Sequence, residues 1–222
     1  MVRGWASEAS VGLGQVKGEE QSNEITAIPE LLKILNLEGC LVTIDALGCQ
    51  RETVKQIAEK EADYVISLKG KQGTVHKDIK DYLEWAERMG FTEIKYDYCA
   101  TLEKDHGRIE ERRGWVTEEI TWLEQKRAWK NLKSVIMVEA MREVMGKEKT
   151  IERRYFISSL EANAEQSLKA VRGHWAIENE LQWCLDIGFR EDDWLCARSQ
   201  SRRKSSHHQT HWIESAQTRK EL

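Results

Sequence analysis

The spacing of apolar and polar residues changes several times along the first part of the chain, and each spacing predicts a strand or a helix. Residues 11–17 alternate apolar with small or polar side chains, which is typical of a strand. Apolar side chains then recur at helical spacing over residues 31–37, with Pro29 in the first turn. The run 40–44 is almost wholly apolar, as in a strand covered on both faces. Asp45 ends that run, so a carboxylate stands at the end of a predicted central strand.

The pattern after Asp45 predicts a strand-helix-strand unit. Residues 51–61 are expected to form a charged helix with one apolar side, and residues 63–69 a further strand. Because a helix joins the two strands, they are expected to be parallel neighbours in one sheet. A second amphipathic helix is predicted at residues 75–89.

The second half of the chain begins with a long strand-rich segment. We interpret residues 91–153 of this segment as an insertion into the sheet, to which the predicted strand 154–158 returns. Residues 164–186 predict the strongest helix of this half. These elements together predict an α/β fold. The buried stripe of the last helix is expected to consist of Leu168, Val171, Trp175, Leu181 and Leu185.

The apolar pattern is lost near the end of the chain. After Phe189 large apolar residues become rare, and serine, arginine, histidine and glutamine dominate. A segment of this composition cannot bury a core and is expected to be disordered. We interpret residues 194–222 as a frameshift product, because a one-base shift of suitable codons for residues 207–220 restores apolar residues at helical spacing. The sequence thus predicts one folded unit, residues 1–193, followed by a tail.

Composition narrows the class of protein. Hydrophobic residues make up 40% of the chain and charged residues 32%, and no apolar run approaches the roughly 20 residues of a membrane-spanning helix. The amino terminus shows no apolar signal stretch, so a cytoplasmic protein is expected. Five cysteines without a C-x-x-C pair indicate neither a disulfide framework nor a zinc site. The net charge of -4 argues against coating of nucleic acid through overall charge but allows a local basic groove.

Two carboxylates stand out because of their positions. Asp45 follows a predicted parallel strand at the edge where open α/β folds bind ligands, although a turn or helix-capping aspartate fits the same position. Glu178 lies on or beside the apolar stripe of helix 164–186, where an ionised carboxylate is costly unless a cation is near. A salt bridge to Arg172 or His174 is the structural alternative for Glu178. Both carboxylates are candidate metal ligands, and both alternatives stay open.

Several short blocks occur in the order in which a known family has them. They are residues 22–50 ending in Thr43-Ile44-Asp45-Ala46-Leu47-Gly48-Cys49-Gln50, then Asp63-Tyr64-Val65 with Leu68-Lys69-Gly70, His106-Gly107-Arg108-Ile109-Glu110, and Arg172-Gly173-His174-Trp175-Ala176-Ile177-Glu178-Asn179. Over about residues 4–193 the chain resembles the H-repeat-associated family of insertion-sequence transposases. An ordered set of unrelated blocks is far more specific than any single motif.

The resemblance implies a DDE transposase, an enzyme that cleaves and transfers DNA strands. It also implies an RNase H-like α/β fold: a mixed sheet with flanking helices, here without its first strand, and with the strand-rich insertion between the second and third acidic positions. In such enzymes three carboxylates hold two Mg²⁺ ions, and Asp45 matches the second acidic position and Glu178 the third. Hard cations take oxygen ligands, and two metals about 4 Å apart need carboxylates from separate elements. The family's first aspartate lies on a strand upstream of the segment matched by residues 2–7, so that strand and its carboxylate are missing from these 222 residues. The implied partners are insertion-sequence DNA and, in the parent enzyme, further copies of the chain.

Candidate DNA contacts follow from the same blocks. Lys69, His106, Arg108 and His174 match positions from which a side chain can contact phosphate, and arginine pairs with phosphate oxygens through two hydrogen bonds. A simple His-Gly turn with an exposed Arg108 is an equally good interpretation of the His106 block. These four residues are therefore expected to bind DNA around the two carboxylates.

Some positions depart from the family pattern or invite another interpretation. Lys71 stands where the family has asparagine, and Gln182 replaces a histidine, which weakens the expected positioning of DNA. His207, His208 and His211 have no cysteine or carboxylate partners around them, so they are assigned no metal. Two other functions stay open: a non-catalytic remnant that binds DNA or another subunit, and an RNase H-like nuclease that only hydrolyses DNA.

Overall fold

The strands in the described part of the chain form one sheet. A computed structural model describes residues 2–6, 11–16, 24–105, 108–144, 148–174 and 211–217. In chain order the strands within these residues are β1 (Val2–Ala6), β2 (Val11–Val16), β3 (Cys40–Ile44), β4 (Asp63–Leu68), β5 (Asp97–Asp105), β6 (Arg108–Thr117), β7 (Ser134–Val144), β8 (Thr150–Ser158) and β9 (His211–Gln217). Their order across the sheet is β2-β1-β9-β3-β4-β8-β7-β6-β5.

Helices flank this sheet. They are α1 (Glu24–Ile34), α2 (Arg51–Glu59), α3 (Thr74–Arg88) and α4 (164–174), the last reaching the end of a described range. Two short 3-10 helices, Gly70–Gln72 and Glu124–Ala128, lie in loops. In the described part of the chain, no helix has the length and apolar character needed to cross a membrane.

The predicted strand-helix-strand unit is confirmed. β3 and β4 run parallel, with Leu41 opposite Asp63 and Ile44 opposite Ile66. The connecting helix α2 buries Val54 against the core. All of β3 is buried, as its apolar run predicts for a strand covered on both faces. β8 pairs antiparallel with β4, so the sheet is mixed, as expected.

Pro29 lies in the second turn of α1 rather than in the first, because the helix begins at Glu24. A proline at this position has no N–H group to donate to the preceding turn, so one helical hydrogen bond is lost. The side chains of Ile28, Leu31 and Leu32 are fully buried around it. Burial of these three side chains stabilises the helix, and this stabilisation exceeds the contribution of the one hydrogen bond that is lost.

The strand-rich segment continues the sheet beyond β8. β5, β6 and β7 pair antiparallel in sequence, and β7 pairs antiparallel with β8. The strands of the segment interpreted as an insertion, residues 91–153, are therefore hydrogen-bonded into the same sheet as the central strands. β8 begins at Thr150, earlier than the predicted strand 154–158, because its first residues pair with β7 while their side chains stay exposed.

Helices cover both faces of the sheet. α1, α2 and α3 pack on one face around a core that includes Ile57 and Ile79. α4 packs on the opposite face, where Leu168 and Val171 are buried together with residues of β3, β4 and β8. These two residues belong to the stripe predicted for helix 164–186, and the other stripe residues lie outside the described ranges.

One strand comes from the tail, which is expected to be disordered. β9 lies between β1 and β3, parallel to β1 and antiparallel to β3. Strand pairing satisfies backbone groups, so a short segment can join a sheet without a large apolar face of its own. At residues 211–217 the structure thus departs from the expected disorder. The other residues of the tail 194–222 lie outside the described ranges, and its frameshift origin stays a prediction.

Candidate active site

Asp45 follows β3 directly and organises a tight turn. Its Oδ1 accepts hydrogen bonds from the backbone amides of Leu47 at 3.0 Å and Gly48 at 3.3 Å. The side chain therefore holds its own loop, as the turn interpretation of this aspartate expects. The same two bonds orient the carboxylate at the carboxyl end of a parallel strand, where α/β sheets bind ligands. A structural role and a ligand-binding role are thus compatible in one residue.

The Asp45 turn packs tightly against α1. The amide of Gly48 donates to the carbonyl oxygen of Asp45 at 3.2 Å. A methyl group added to Gly48 would overlap the side chains of Ile44 and Ile28. Only glycine allows the backbone to come this close. The position of the Asp45 carboxylate consequently depends on contact between the turn and the helix below it.

Lys69 follows β4 at the same edge of the sheet. Gln72 fixes its loop, because its Oε1 accepts from the amide of Lys69 at 2.7 Å and its Nε2 donates to the carbonyl oxygen of Ala46 at 2.5 Å. One side chain therefore ties the loop after β4 to the Asp45 turn. Gln72 was not among the residues selected from the sequence, where its one signal is its position three residues after Lys69 of a family block.

His174 reaches this edge from α4. Its side chain is buried, and its Nδ1 lies 3.1 Å from Oγ1 of Thr43. A hydroxyl group can donate to or accept from an imidazole nitrogen, so this contact orients the ring. Thr43 is itself buried on β3, two residues before Asp45. The contact therefore attaches α4 to the strand that ends in the candidate carboxylate.

Asp45, Lys69 and His174 line one cleft. Glu152 and Arg154 of β8 also line this cleft, which we call the Asp45 cleft. Three of the residues selected from the sequence are thus brought together. Asp45 and Lys69 directly follow β3 and β4, and His174 lies on α4, so the packing of these three elements determines the geometry of the cleft.

Two charged residues of the Asp45 cleft were missed in the sequence. Arg154 donates two hydrogen bonds to the carboxylate of Glu152, at 2.8 and 2.9 Å. This pairing lowers the pKa of Glu152 against the opposing effect of its partial burial, and Lys69 lowers the pKa further. Glu152 precedes the predicted strand 154–158. Alternate residues of a strand share a face, so Glu152 and Arg154 lie on the same face of β8. The predicted strand did not include Glu152, so this shared face could not be inferred from it.

Comparison with known proteins assigns the chain to a family. Residues 10–206, most of the chain, match the family model described as a transposase DDE domain. The chain belongs to the DDE transposase family. It is 40% identical over 198 residues to the "Putative transposase YncI" of Escherichia coli O157:H7, and the match covers 86% of the chain and 49% of that relative.

Two further relatives are similar to this DDE transposase chain over most of its length. The "H repeat-associated putative transposase YhhI" of Escherichia coli K12 is 36% identical over 197 residues, covering 87% of the chain and 51% of the relative. The "Uncharacterized protein in dhlA 3'region" of Xanthobacter autotrophicus is 42% identical over 160 residues, covering 72% of the chain and 52% of the relative. The chain spans about half the length of these curated relatives. No solved structure matches it. The family inferred from the ordered sequence blocks is confirmed.

The structure describes the other candidate residues of this transposase chain only in part. Arg108 begins β6, which is separated from β4 by β8 and β7 in the sheet, and its side chain lies outside the described part. Residues outside the described ranges altogether include His106, Glu178, Gln182, His207 and His208. Their predicted roles therefore rest on the sequence alone.

The cleft of this DDE transposase chain offers oxygen donors of the kind that Mg²⁺ prefers. Asp45 supplies one carboxylate, and Glu152 supplies another that is paired with Arg154. Among the residues that the structure describes, no group of three or more histidine, cysteine, aspartate or glutamate side chains could hold a metal ion. Burial and the Asp45 carboxylate raise the pKa of the Cys49 thiol to about 12, which disfavours the thiolate form that binds metals. The donor chemistry fits a hard cation, whereas the number of donors among these residues does not.

Proposed function

We propose that the chain forms part of the catalytic centre of an insertion-sequence transposase, which cleaves and joins DNA strands with divalent metal ions. The observation that supports this most is the convergence of Asp45, Lys69 and His174 in one cleft at the carboxyl ends of two parallel strands. A carboxylate beside a cation suits a phosphodiester, because the carboxylate can bind a metal and the cation can bind phosphate oxygens. Membership of the DDE family supports the same chemistry.

Asp45 and Glu178 are the proposed metal ligands, and Mg²⁺ is the proposed metal. When bound, such ions stabilise the attacking and leaving oxygens of a phosphodiester. The two amides that bind Oδ1 of Asp45 orient its carboxylate before any ligand arrives. A polypeptide of these 222 residues alone contains two of the three carboxylates that the family resemblance implies. Such a polypeptide does not cleave DNA by itself.

Lys69 and His174 are the proposed DNA contacts within the Asp45 cleft. Lys69 is exposed, so its ammonium group can reach a phosphate at little cost in desolvation. His174 is buried and held by Thr43, which suits a residue that orients a bound strand. His106 and Arg108 are proposed as further contacts on sequence grounds. The proposed partners are the ends of an insertion sequence and further copies of the chain, in the cytoplasm.

Replacement of the cleft lysine, Lys69→Ala, is expected to weaken the binding of duplex DNA several-fold. The variant removes one cation that neutralises a phosphate, so the plot of log affinity against log salt should become shallower by about one unit of slope. Fluorescence anisotropy of a labelled duplex, measured over a series of salt concentrations, gives both quantities. The fold of the variant is checked by circular dichroism.

Lys77→Ala is the matched control for this prediction. Lys77 is an exposed lysine on α3, where it pairs with Asp81 at 3.1 Å. α3 packs on the face of the sheet opposite to α4, so Lys77 is remote from the phosphate contacts proposed here. This control should bind DNA with nearly unchanged affinity and salt dependence. Equal losses in both variants would show that DNA responds to overall charge, which would contradict a specific role for the cleft.

A further inference from the structure

The strands β6, β7 and β8 carry two different charged faces. Successive residues of a strand point to opposite faces of the sheet, so alternate residues share a face. On one face Arg153 of β8 contacts Glu87 of α3 and Glu139 of β7. The other face is turned toward α4, and Gly114 of β6 lies so close to Leu168 that a methyl group added there would meet its side chain. The two sets of charges are thus separated by the sheet.

The face beside α4 contains a trough of about 380 Å³. Val138 and Ala140 of β7 form part of its floor. Ala140 pairs with Arg112 on one side and with Glu152 on the other, so long charged side chains flank a small residue. The charged residues that line this trough are Glu110, Arg112, Arg142, Glu152, Arg154 and Arg172.

The trough is more basic than the chain as a whole. Among the described residues, four arginines and two glutamates line it, whereas the whole chain has a net charge of -4. A local positive surface on an acidic protein concentrates polyanions at that surface and not elsewhere. Arginine is particularly suited to phosphate, because its planar fork of N–H groups matches two phosphate oxygens.

Ion pairs within the trough orient its arginines. Nη2 of Arg112 lies 2.7 Å from Glu110, and Arg172 pairs with Glu103 of β5. Nη1 of Arg112 also donates to Glu103 at 3.4 Å. A guanidinium group has five N–H donors, so these two carboxylates do not exhaust its capacity. The side chain of Arg172 is 55% exposed, so a ligand can approach it directly from solvent. These pairs therefore arrange the guanidinium groups without preventing contact with phosphate.

The trough is continuous with the Asp45 cleft. Glu152, Arg154 and Val171 line both of them. A strand of DNA with one phosphate near Asp45 can therefore continue across β8 toward β6 along a single surface. The alternation of side chains on these strands determines that this surface, and not the α3 side, meets the cleft.

We infer that the trough binds the sugar-phosphate backbone of DNA on one side of the phosphate held in the Asp45 cleft, through Arg112, Arg142 and Arg172. The inference rests on the proposed function, because that function places the reacting phosphate in the cleft. Contacts of this kind go to phosphate oxygens and are independent of base sequence. The trough therefore contributes affinity and direction, and the cleft contributes the chemistry.

The double variant Arg142→Ala/Arg172→Ala tests this inference, since both side chains are exposed and their removal leaves the core intact. Its control is Lys77→Ala/Arg88→Ala, which removes the same charge from exposed positions of α3. Binding of a labelled duplex of arbitrary sequence is measured by anisotropy over a salt series, with circular dichroism as a check of folding. The trough variant should lose about tenfold or more in affinity, and its salt slope should become shallower by about two. The control should bind as the unaltered chain does.

Each outcome of this experiment has a separate meaning. A loss of affinity and slope confined to the trough variant supports the inference. Equal behaviour of the two double variants overturns the trough as a binding surface, while the proposed function still stands or falls with the Lys69 comparison. If the unaltered chain binds no DNA at any salt concentration, the proposed function fails and the inference fails with it.

Discussion

A polypeptide of these 222 residues should leave insertion-sequence DNA uncut in the presence of Mg²⁺ or Mn²⁺. Cleavage by two metal ions requires carboxylates from separate elements to bridge ions about 4 Å apart. The family resemblance implies three such carboxylates, and we propose Asp45 and Glu178 of this sequence as two of them. Loss of a bridging ligand removes the geometry on which both metals depend. Activity should therefore be at background level and not merely reduced.

Incubation with a supercoiled plasmid measures this directly. The plasmid carries the ends of an insertion sequence of this family, and nicked and linear products are scored by electrophoresis. Glu178→Gln is the control, because it keeps the size of the side chain and removes its charge. Metal-dependent nicking that disappears in this variant would overturn the prediction. Nicking of equal strength in both proteins would identify a contaminating nuclease and leave the prediction intact.

Arg153→Met should lower the free energy of unfolding by about 2–4 kcal/mol. The side chain of Glu139 is 9% exposed, and Nε of Arg153 donates to it at 2.8 Å. The same guanidinium binds both carboxylate oxygens of Glu87 at 2.7 Å. Removal of the arginine leaves a buried carboxylate, with Arg113 at 3.8 Å as the remaining cation. A third of the Arg153 side chain is exposed, which keeps the expected loss below that of a fully buried pair.

Arg154→Met is the matched control, because Arg154 is the next residue of β8 and faces the opposite side. Its partner Glu152 has a side chain that is 62% exposed, so the loss should be below about 1 kcal/mol. The double variant Arg153→Met/Glu139→Met should recover part of the stability lost in Arg153→Met, since neither charge then stays buried alone. Urea unfolding followed by circular dichroism measures all of these variants. Equal losses for the two arginines would show that burial of Glu139 is unimportant.

The central unit of the fold could be predicted because its physical signals are local. The apolar run of β3 and the helical spacing of α2 are both visible within short windows of sequence. Asp45 could be selected in the same way, since a polar residue that ends such a run lies at the edge of the sheet. Lys69 and His174 were found only through the family blocks. No local pattern distinguishes an exposed lysine or a helical histidine that lies in a cleft from one that does not.

Contacts between distant segments could not be predicted from such patterns. Gln72 joins two loops that follow different strands. Glu152 and Arg154 enter the cleft because β8 pairs beside β4, and the residues around them in sequence do not specify this partner. β9 pairs with β1 and β3, which are far from it in sequence, so short-range patterns do not predict this pairing either. These features arise from topology and become visible only in the folded structure.

The position of β9 bears on where the family's first acidic position would lie. β9 runs parallel to β1 and antiparallel to β3, so β1 and β3 run in opposite directions. A strand placed upstream of β1 and joined to it by a hairpin would run antiparallel to β1. If such a strand took the place of β9 between β1 and β3, it would run parallel to β3, and its carboxyl end would lie beside Asp45. A family-type first aspartate at that end of the strand would then face Asp45.

Metal binding by a completed chain tests the assignment of Asp45 most directly. A fusion protein carries a family-type segment with the first aspartate before Val2 and a family-type carboxyl terminus in place of residues 194–222. Titration calorimetry with Mn²⁺ should detect binding to this fusion and none to the 222-residue polypeptide, because only the fusion has carboxylates from three elements. Asp45→Asn in the fusion should abolish the binding. Mn²⁺ affinity that Asp45→Asn leaves unchanged would contradict the assignment of the metal site to the carboxyl end of β3.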